Sequence, residues 1–459
     1  MDDSSSQKSA ANIPLTDILR ESTCPACGHH VATPFFDGGQ LPLTTLAWPT
    51  SAEQARSMPR LPHDFLRCVD CGHIYNCKFD YANVPYSDKP NLMFNSGTIW
   101  SKHLQDIHRV ILDRLPPDAT LVEIGCGEGH LLRAVAQVRP DVRCIGFDPN
   151  STIETENGKI EARAELFLPT VHLQELRPDL LVSRHVLEHL MNPLGFIQQL
   201  QFAASWHEIE TSLLIEVPCV DHVLKLGRTV DFFYEHNSHF TTVSLRRMLE
   251  RCSSEVQLID TGYGGEVVFG LCAFQPVPRH IANATASLRF RSHAVESART
   301  VKAGLAELVQ RGIKTAIWGG TGKAAAFINQ YGLTAEHFPI VVDSDRNKVG
   351  TYVPGMGQDI LFRDHLIDHP VDVVIVATQW RAADIVCEMQ RCGIECDTVL
   401  LEHQGRLVDF HRDPHPYRDL MTHASQSESQ KVDTQGKMVP RPKFLAPNDS
   451  SIRNGLELS

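Results

Sequence analysis

Short apolar runs that end in an acid or a glycine turn recur along this chain, each followed by a stretch with helical periodicity. Thr120-Leu-Val-Glu-Ile124 is one such run. The turn Gly125-Cys-Gly-Glu-Gly129 closes it, and an apolar-periodic segment starts at Leu131. This is the outline of a strand, a tight loop and a helix N-terminus. Cys144-Ile-Gly-Phe-Asp148 reads as a second buried strand ending in an acid, and Asp179-Leu-Leu-Val-Ser183 and Ser212-Leu-Leu-Ile-Glu-Val-Pro218 as two more. Strand and helix patterns alternate, which predicts an α/β fold with a mostly parallel sheet. The pattern repeats at Thr315-Ala-Ile-Trp-Gly319-Gly-Thr-Gly322-Lys323, Val341-Val-Asp343-Ser-Asp345 and Asp372 to Thr378.

Between these runs, Ser101 to Leu115 has helical spacing (Leu104, Ile107, Ile111, Leu115) and stops at Pro116-Pro117. Ser244 to Cys252 and Leu288 to Arg311 read as further helices, and Pro276 to Ala284 as a linker. Phe35 to Leu66 is rich in Pro, Thr and small residues, so short strands and loops are expected there. From Pro414 the chain turns polar, and 420–459 is expected to be a disordered tail.

Composition narrows the class. The 459 residues suffice for two or three domains, each with its own core. A net charge of -12 argues against a nucleic-acid or membrane-surface partner. No apolar run is long enough to cross a bilayer. Met1 to Ala11 is polar and lacks a signal core, and the 13 cysteines then point to a reducing, cytoplasmic setting, with thiols free or on metal.

Two Cys-x-x-Cys knuckles, Cys24-Pro-Ala-Cys27-Gly28 and Cys68-Val-Asp-Cys71-Gly72, suit a structural zinc ion with four thiolate ligands. Four thiolates leave no open coordination position. Cys77 and His73 lie close by but are not needed as ligands. After the first glycine turn, Asp148 can accept hydrogen bonds from the ribose hydroxyls of an adenosine-type ligand. Arg184-His185-Val-Leu-Glu188-His189 offers three metal-capable groups at helix-like spacing; the preferred reading is a wall of the cofactor pocket. In Asp231-Phe-Phe-Tyr234-Glu235-His236-Asn-Ser-His239, a carboxylate, a phenol and imidazoles stand together. Such groups suit proton transfer, because imidazole titrates near neutrality and a neighbouring carboxylate can tune it. A structural hydrogen-bond cluster is the plainer alternative.

Glu123-x-Gly125-x-Gly127-x-Gly129 resembles the S-adenosylmethionine loop of class I methyltransferases. Over roughly residues 20 to 410 the order of motifs resembles the three-domain C-methyltransferases that act on nucleotide-linked keto-deoxysugars. The markers are the four cysteines, the Glu123 to Gly129 loop, Arg184 to His189, Glu235-His236 with Phe240, Gly264-Gly265, and Gly319 to Lys323. The resemblance implies a zinc-binding domain at 20–85, a central class I methyltransferase Rossmann-like domain at 86–280, and a C-terminal Rossmann-like domain at 285–412. It implies His236 as base with Glu235 and Tyr234 in support. It gives Glu123, Gly125, Gly127, Gly129, Asp148 and His185 to S-adenosylmethionine. It gives Gly322 and Lys323 to a small, nucleotide-sugar substrate. Tyr234 stands where that family usually has histidine, and Phe94 falls about where it has a tyrosine, with Tyr86 as a candidate replacement. Other readings are O- or N-methylation of another metabolite, and an NAD(P)-linked reductase using the C-terminal turn.

Overall fold

The computed structural model describes residues 14–46, 48–86, 97–151, 160–252 and 255–418. Phe94 and the 420–459 segment lie outside them. The chain forms two compact units, Met1–Ala284 and Thr285–Ser459.

The first unit begins with strands β1 (Arg20–Glu21), β2 (Val31–Leu41), β3 (Leu61–Cys68) and β4 (Ile74–Asn76). Helix α1 (Thr98–Leu112) follows; it buries His103, Ile107 and Ile111 on one face, as the periodicity required. Then come β5 (Thr120–Ile124), α2 (His130–Val138), β6 (Arg143–Phe147), β7 (Ile160–Arg163), β8 (Leu180–Arg184), α3 (Pro193–Trp206), β9 (Ser212–Pro218), β10 (Ser238–His239), α4 (Thr242–Cys252), β11 (Glu255–Gly262) and β12 (Val267–Ala273).

These strands make two sheets. The larger has the order β11-β12-β9-β8-β5-β6-β7. It is parallel from β9 through β7, with β12 antiparallel to both its neighbours. The order reverses between β5 and β8, which opens a crevice beyond their C-terminal ends. Ligands of open α/β sheets bind at such a switch point. The parallel strands are buried on both faces, which is why they read as unbroken apolar runs.

The smaller sheet has the order β1-β2-β3-β4-β10. Its last strand is borrowed from far along the chain: Ser238 pairs with Tyr75 and His239 with Ile74. The four cysteines also share one apolar core with Leu194 and Ile197 of α3 and Met248 and Leu249 of α4. The N-terminal strands are thus packed into the same body as the central sheet.

The stretch read as a linker is helical from Pro278, because α5 runs unbroken over Pro278–Gln310. Proline is tolerated in the first turn, where its missing N–H has no partner to lose. In the second unit, β13 (Thr315–Trp318), α6 (Lys323–Tyr331), β14 (Ile340–Asp343), β15 (Ile360–Phe362), β16 (Val373–Val376), β17 (Thr398–His403) and β18 (Arg406–Asp409) form a sheet ordered β15-β14-β13-β16-β17-β18. All pairs but β17–β18 are parallel, and this sheet too has its switch point, between β13 and β16. Among the described residues no helix is long and apolar enough to cross a membrane.

Candidate active site

At the switch point of the larger sheet, Gly125 (φ 78°), Gly127 (φ 51°) and Gly129 (φ 72°) all lie in the left-handed region. A side chain at Gly125 would also meet Val186 Cγ2 at 2.3 Å, so the turn has no room for one. At Gly127 there is open space, which leaves the backbone accessible to a ligand. Asp148 fixes the turn: its Oδ2 accepts from Gly127 N at 3.0 Å, and its Oδ1 from Asn150 N at 2.8 Å. Beneath the turn, Glu123 is buried and its Oε2 has no hydrogen-bond partner among the described residues. Burial pushes its carboxyl up to about 8, with Arg184 opposing and Asp148 and Glu216 adding to the shift.

Beyond β8 lies a buried ionic group that the sequence reading did not identify. Glu216, fully buried on β9, accepts from Arg184 Nη2 at 2.8 Å and lies 2.8 Å from His103 Nε2. His185 Nε2 is 3.1 Å from the same carboxylate, as an ion pair without hydrogen-bond alignment. Burial alone would raise Glu216, but Arg184, His103 and His185 together hold it well below the usual carboxylate range. Burial also pulls His185 down, yet Glu188 and Glu216 outweigh it and push the ring up to about 9. One signal was visible: a lone acid inside the apolar run Leu213-Leu-Ile-Glu-Val217 must have partners.

The segment 185–189 is not a helix. Leu187–His189 forms a 3-10 turn, and His185 has φ 54°. The turn puts His189 against His236, ring centroids 4.9 Å apart. Tyr86 completes the junction. Its hydroxyl donates to the backbone carbonyl of Glu235 at 2.5 Å and sits 2.9 Å from His189 Nδ1, which itself is 2.8 Å from that carbonyl. Burial raises Tyr86 above the ordinary phenol range, so it stays protonated. Burial first, then the neighbouring His189, His239 and His185, hold His236 well below its usual value, so it is a neutral imidazole.

The structure brings His236 to this junction but not the functional ends of its two neighbours. The Glu235 carboxylate turns the other way. Its Oε1 accepts from the amides of Thr44, Thr45 and Leu46 at 2.6, 2.7 and 3.2 Å, and none of its hydrogen bonds goes to His236. Tyr234 is fully buried; its hydroxyl accepts from Asp80 N at 2.8 Å and Asn83 Nδ2 at 3.3 Å. Both residues anchor the loop to the N-terminal segment. The resemblance implies support for the base from both residues, but here the chain turns at Tyr234–Glu235 and both side chains bond to the N-terminal segment instead.

The four cysteines converge. Cys24 and Cys71 sulfurs are 3.7 Å apart and Cys27 and Cys68 sulfurs 3.6 Å, with all four within 4.8 Å of one another. A tetrahedron of thiolates at zinc–sulfur distances of about 2.3 Å has edges of about 3.8 Å, so the cluster fits that ion. Gly28 (φ 75°) and Gly72 (φ 74°) close the two turns, with their amides donating to Cys24 and Cys68 carbonyls. Cys77 is exposed and stands outside the cluster.

In the second unit, Gly319 (φ 104°) and Gly322 (φ 59°) form the turn before α6, and Lys323 Nζ lies 5.5 Å from the Trp380 ring centroid across the switch point. Asp343, the acid ending β14, is paired with Lys348 Nζ at 3.1 Å.

A glycine turn tipped by acids, with a neutral imidazole junction at the same sheet edge, suits transfer of a group from a nucleoside cofactor. Residues 100–255, which supply most of these groups, match the methyltransferase domain family, so the chain carries a methyltransferase domain. More particularly, residues 279–398 match the C-methyltransferase C-terminal domain. No curated protein matches the chain. Among solved structures, human N-acetylserotonin methyltransferase with S-adenosylmethionine is 14% identical, with 39% of this chain and 56% of that one covered at a TM-score of 0.28. Magnesium protoporphyrin IX methyltransferase from Synechocystis PCC 6803 is 12% identical, with 40% and 90% covered at a TM-score of 0.29. The pyocyanin biosynthetic protein PhzM is 16% identical, with 38% and 55% covered at 0.30. Scores this low carry no argument about substrate or mechanism.

Proposed function

We propose that this enzyme methylates a carbon next to a ketone on a small, nucleotide-linked sugar, with His236 as the base. The observation that supports it best is the junction at the Glu235 carbonyl, where Tyr86 and His189 fix the peptide carrying His236. Bound at the Gly125 to Gly129 turn, S-adenosylmethionine supplies an electrophilic methyl group. Glu123, Asp148 and His185 would hold it. Each Asp148 oxygen accepts one backbone bond and keeps a lone pair for a ribose hydroxyl. His236 would take the proton from the substrate carbon, which then becomes nucleophilic. Tyr86 gives its one hydroxyl proton to the Glu235 carbonyl and so positions the peptide that carries His236. Glu235 and Tyr234 position the loop. Gly322 and Lys323 are assigned to a phosphate of the substrate, and the four cysteines to a structural zinc.

The test is hydrogen exchange in heavy water. With S-adenosylhomocysteine present, the enzyme should exchange the proton next to the ketone of a nucleotide-linked keto-deoxysugar. His236→Ala should abolish both exchange and turnover while keeping cofactor affinity. Methyl transfer without any such exchange would favour O- or N-methylation instead.

A further inference from the structure

Glu188 is 1% exposed, and neither of its carboxylate oxygens has a hydrogen-bond partner among the described residues. The positive group nearest to it is His185, whose Nδ1 lies 3.5 Å from Oε1, too far for a good hydrogen bond. His185 thus answers Oε1 by charge alone, and Oε2 is left buried with no partner among the described residues, which is unfavourable unless a further cation meets it. Glu188, His189 and His236 each offer one ligand atom, and these atoms all lie within 4.8 Å of one another.

One of the two imidazoles is already held as a ligand is held. His189 Nδ1 faces the Glu235 carbonyl at 2.8 Å. A carbonyl only accepts, so we assign the proton to Nδ1, which leaves Nε2 with a lone pair. Metal-bound histidines are oriented by this kind of bond from the second ring nitrogen. His236 follows directly on Glu235, whose peptide that carbonyl belongs to. The three groups therefore come from two elements, the 3-10 turn at Leu187–His189 and the loop before β10, clasped at one point.

We propose that Glu188, His189 and His236 form a second divalent-metal site, distinct from the four cysteines. Two imidazoles and a carboxylate suit zinc or another first-row ion with open coordination positions. The ion would occupy the ring nitrogen that His236 needs as a base. On the reading that His236 is that base, zinc beyond the first equivalent is therefore inhibitory.

The test titrates the metal-free, reduced full chain with zinc and, separately, with cobalt. Two equivalents should bind per chain. Cobalt on the cysteines gives intense sulfur-to-metal charge-transfer bands, whereas the second ion should add only weak visible bands. Glu188→Gln keeps size and removes charge, and should lose the second equivalent alone. Saturation of the wild type at a single, sulfur-bound equivalent would overturn the proposal, and needs no variant to be seen. So would two equivalents held equally tightly by E188Q. Excess zinc should lower wild-type turnover by about a hundredfold, the scale of a lost general base, and leave E188Q at its own zinc-free rate. Two equivalents bound with turnover intact would support the site and count against His236 as the base.

Discussion

The side-chain amide of Asn150 donates to the backbone carbonyl of Tyr86 at 2.7 Å. Asn150 is also tied through its own amide to Asp148, which holds the Gly127 amide. The tyrosine hydroxyl, at the other end of the same residue, fixes the Glu235 carbonyl beside His189 and His236. One residue thus links the cofactor turn to the proposed base.

Tyr86→Phe removes the hydroxyl and leaves the backbone bond to Asn150. Turnover should fall by about tenfold or more, on the scale of one hydrogen bond, while S-adenosylhomocysteine affinity by calorimetry stays the same. Loss of affinity in step with turnover would show that the hydroxyl supports the cofactor turn as well and is not confined to the His236 loop.

Asp148→Asn keeps the shape but weakens the hold on the Gly127 and Asn150 amides and on any ribose hydroxyl. Cofactor binding should weaken by about 1–3 kcal/mol, the range for hydrogen bonds to a charged group. Calorimetric titration that finds unchanged affinity would refute the role.

Glu235→Gln should destabilise the first unit by about 1.5–3 kcal/mol, because three amides of residues 44–46 lose a charged acceptor. Urea unfolding at constant slope measures this. A change below about 0.5 kcal/mol, the ordinary surface level, would mean the clasp is incidental.

On the proposal that the four cysteines hold a structural zinc, stripping it should silence the enzyme although the cysteines lie outside the cofactor turn. β10 is the edge strand of the cysteine-bearing sheet, with Ser238 on Tyr75 and His239 on Ile74. Hydrogen exchange of peptides covering 231–241 should rise after chelation under reducing conditions and fall again when zinc is restored. Protection that is indifferent to the metal would break the link.

His239 carries a pH prediction. Buried between Phe65 and Phe232, it is pulled down by burial to about 3, far below an ordinary histidine. A depressed folded value means its neutral form contributes stability that is present above about 6.5 and is lost as pH falls toward 3. His239→Phe should therefore flatten the decline in stability between about pH 6.5 and 4. Urea midpoints at several pH values would show it, and an unchanged slope would place the acid sensitivity elsewhere.

Much of the fold was legible because it depends on local pattern. Apolar runs ending in acids became parallel strands, and Cys24-x-x-Cys27-Gly28 and Cys68-x-x-Cys71-Gly72 closed as knuckles whose sulfurs meet. The backbone of the His185 to His189 segment was less legible, because its spacing fits a helix while the chain takes a 3-10 turn with His185 in the left-handed region. The partners of Glu235 and Tyr234 were not legible for another reason. They lie 191 and 154 residues away, and no local rule reports such distances.

The order of residues by itself determined which segments could be strands, where glycine was needed for the turns, and which thiols could share an ion, since each depends on a backbone preference or a short spacing. Only the tertiary structure decided which side chains face one another. The borrowing of Ser238–His239 by the N-terminal sheet turns Glu235 toward residues 44–46 and His236 toward His189 and Tyr86. The turn at Tyr234–Glu235 and the pairing of the strand that follows it, not proximity in sequence, decided which groups meet.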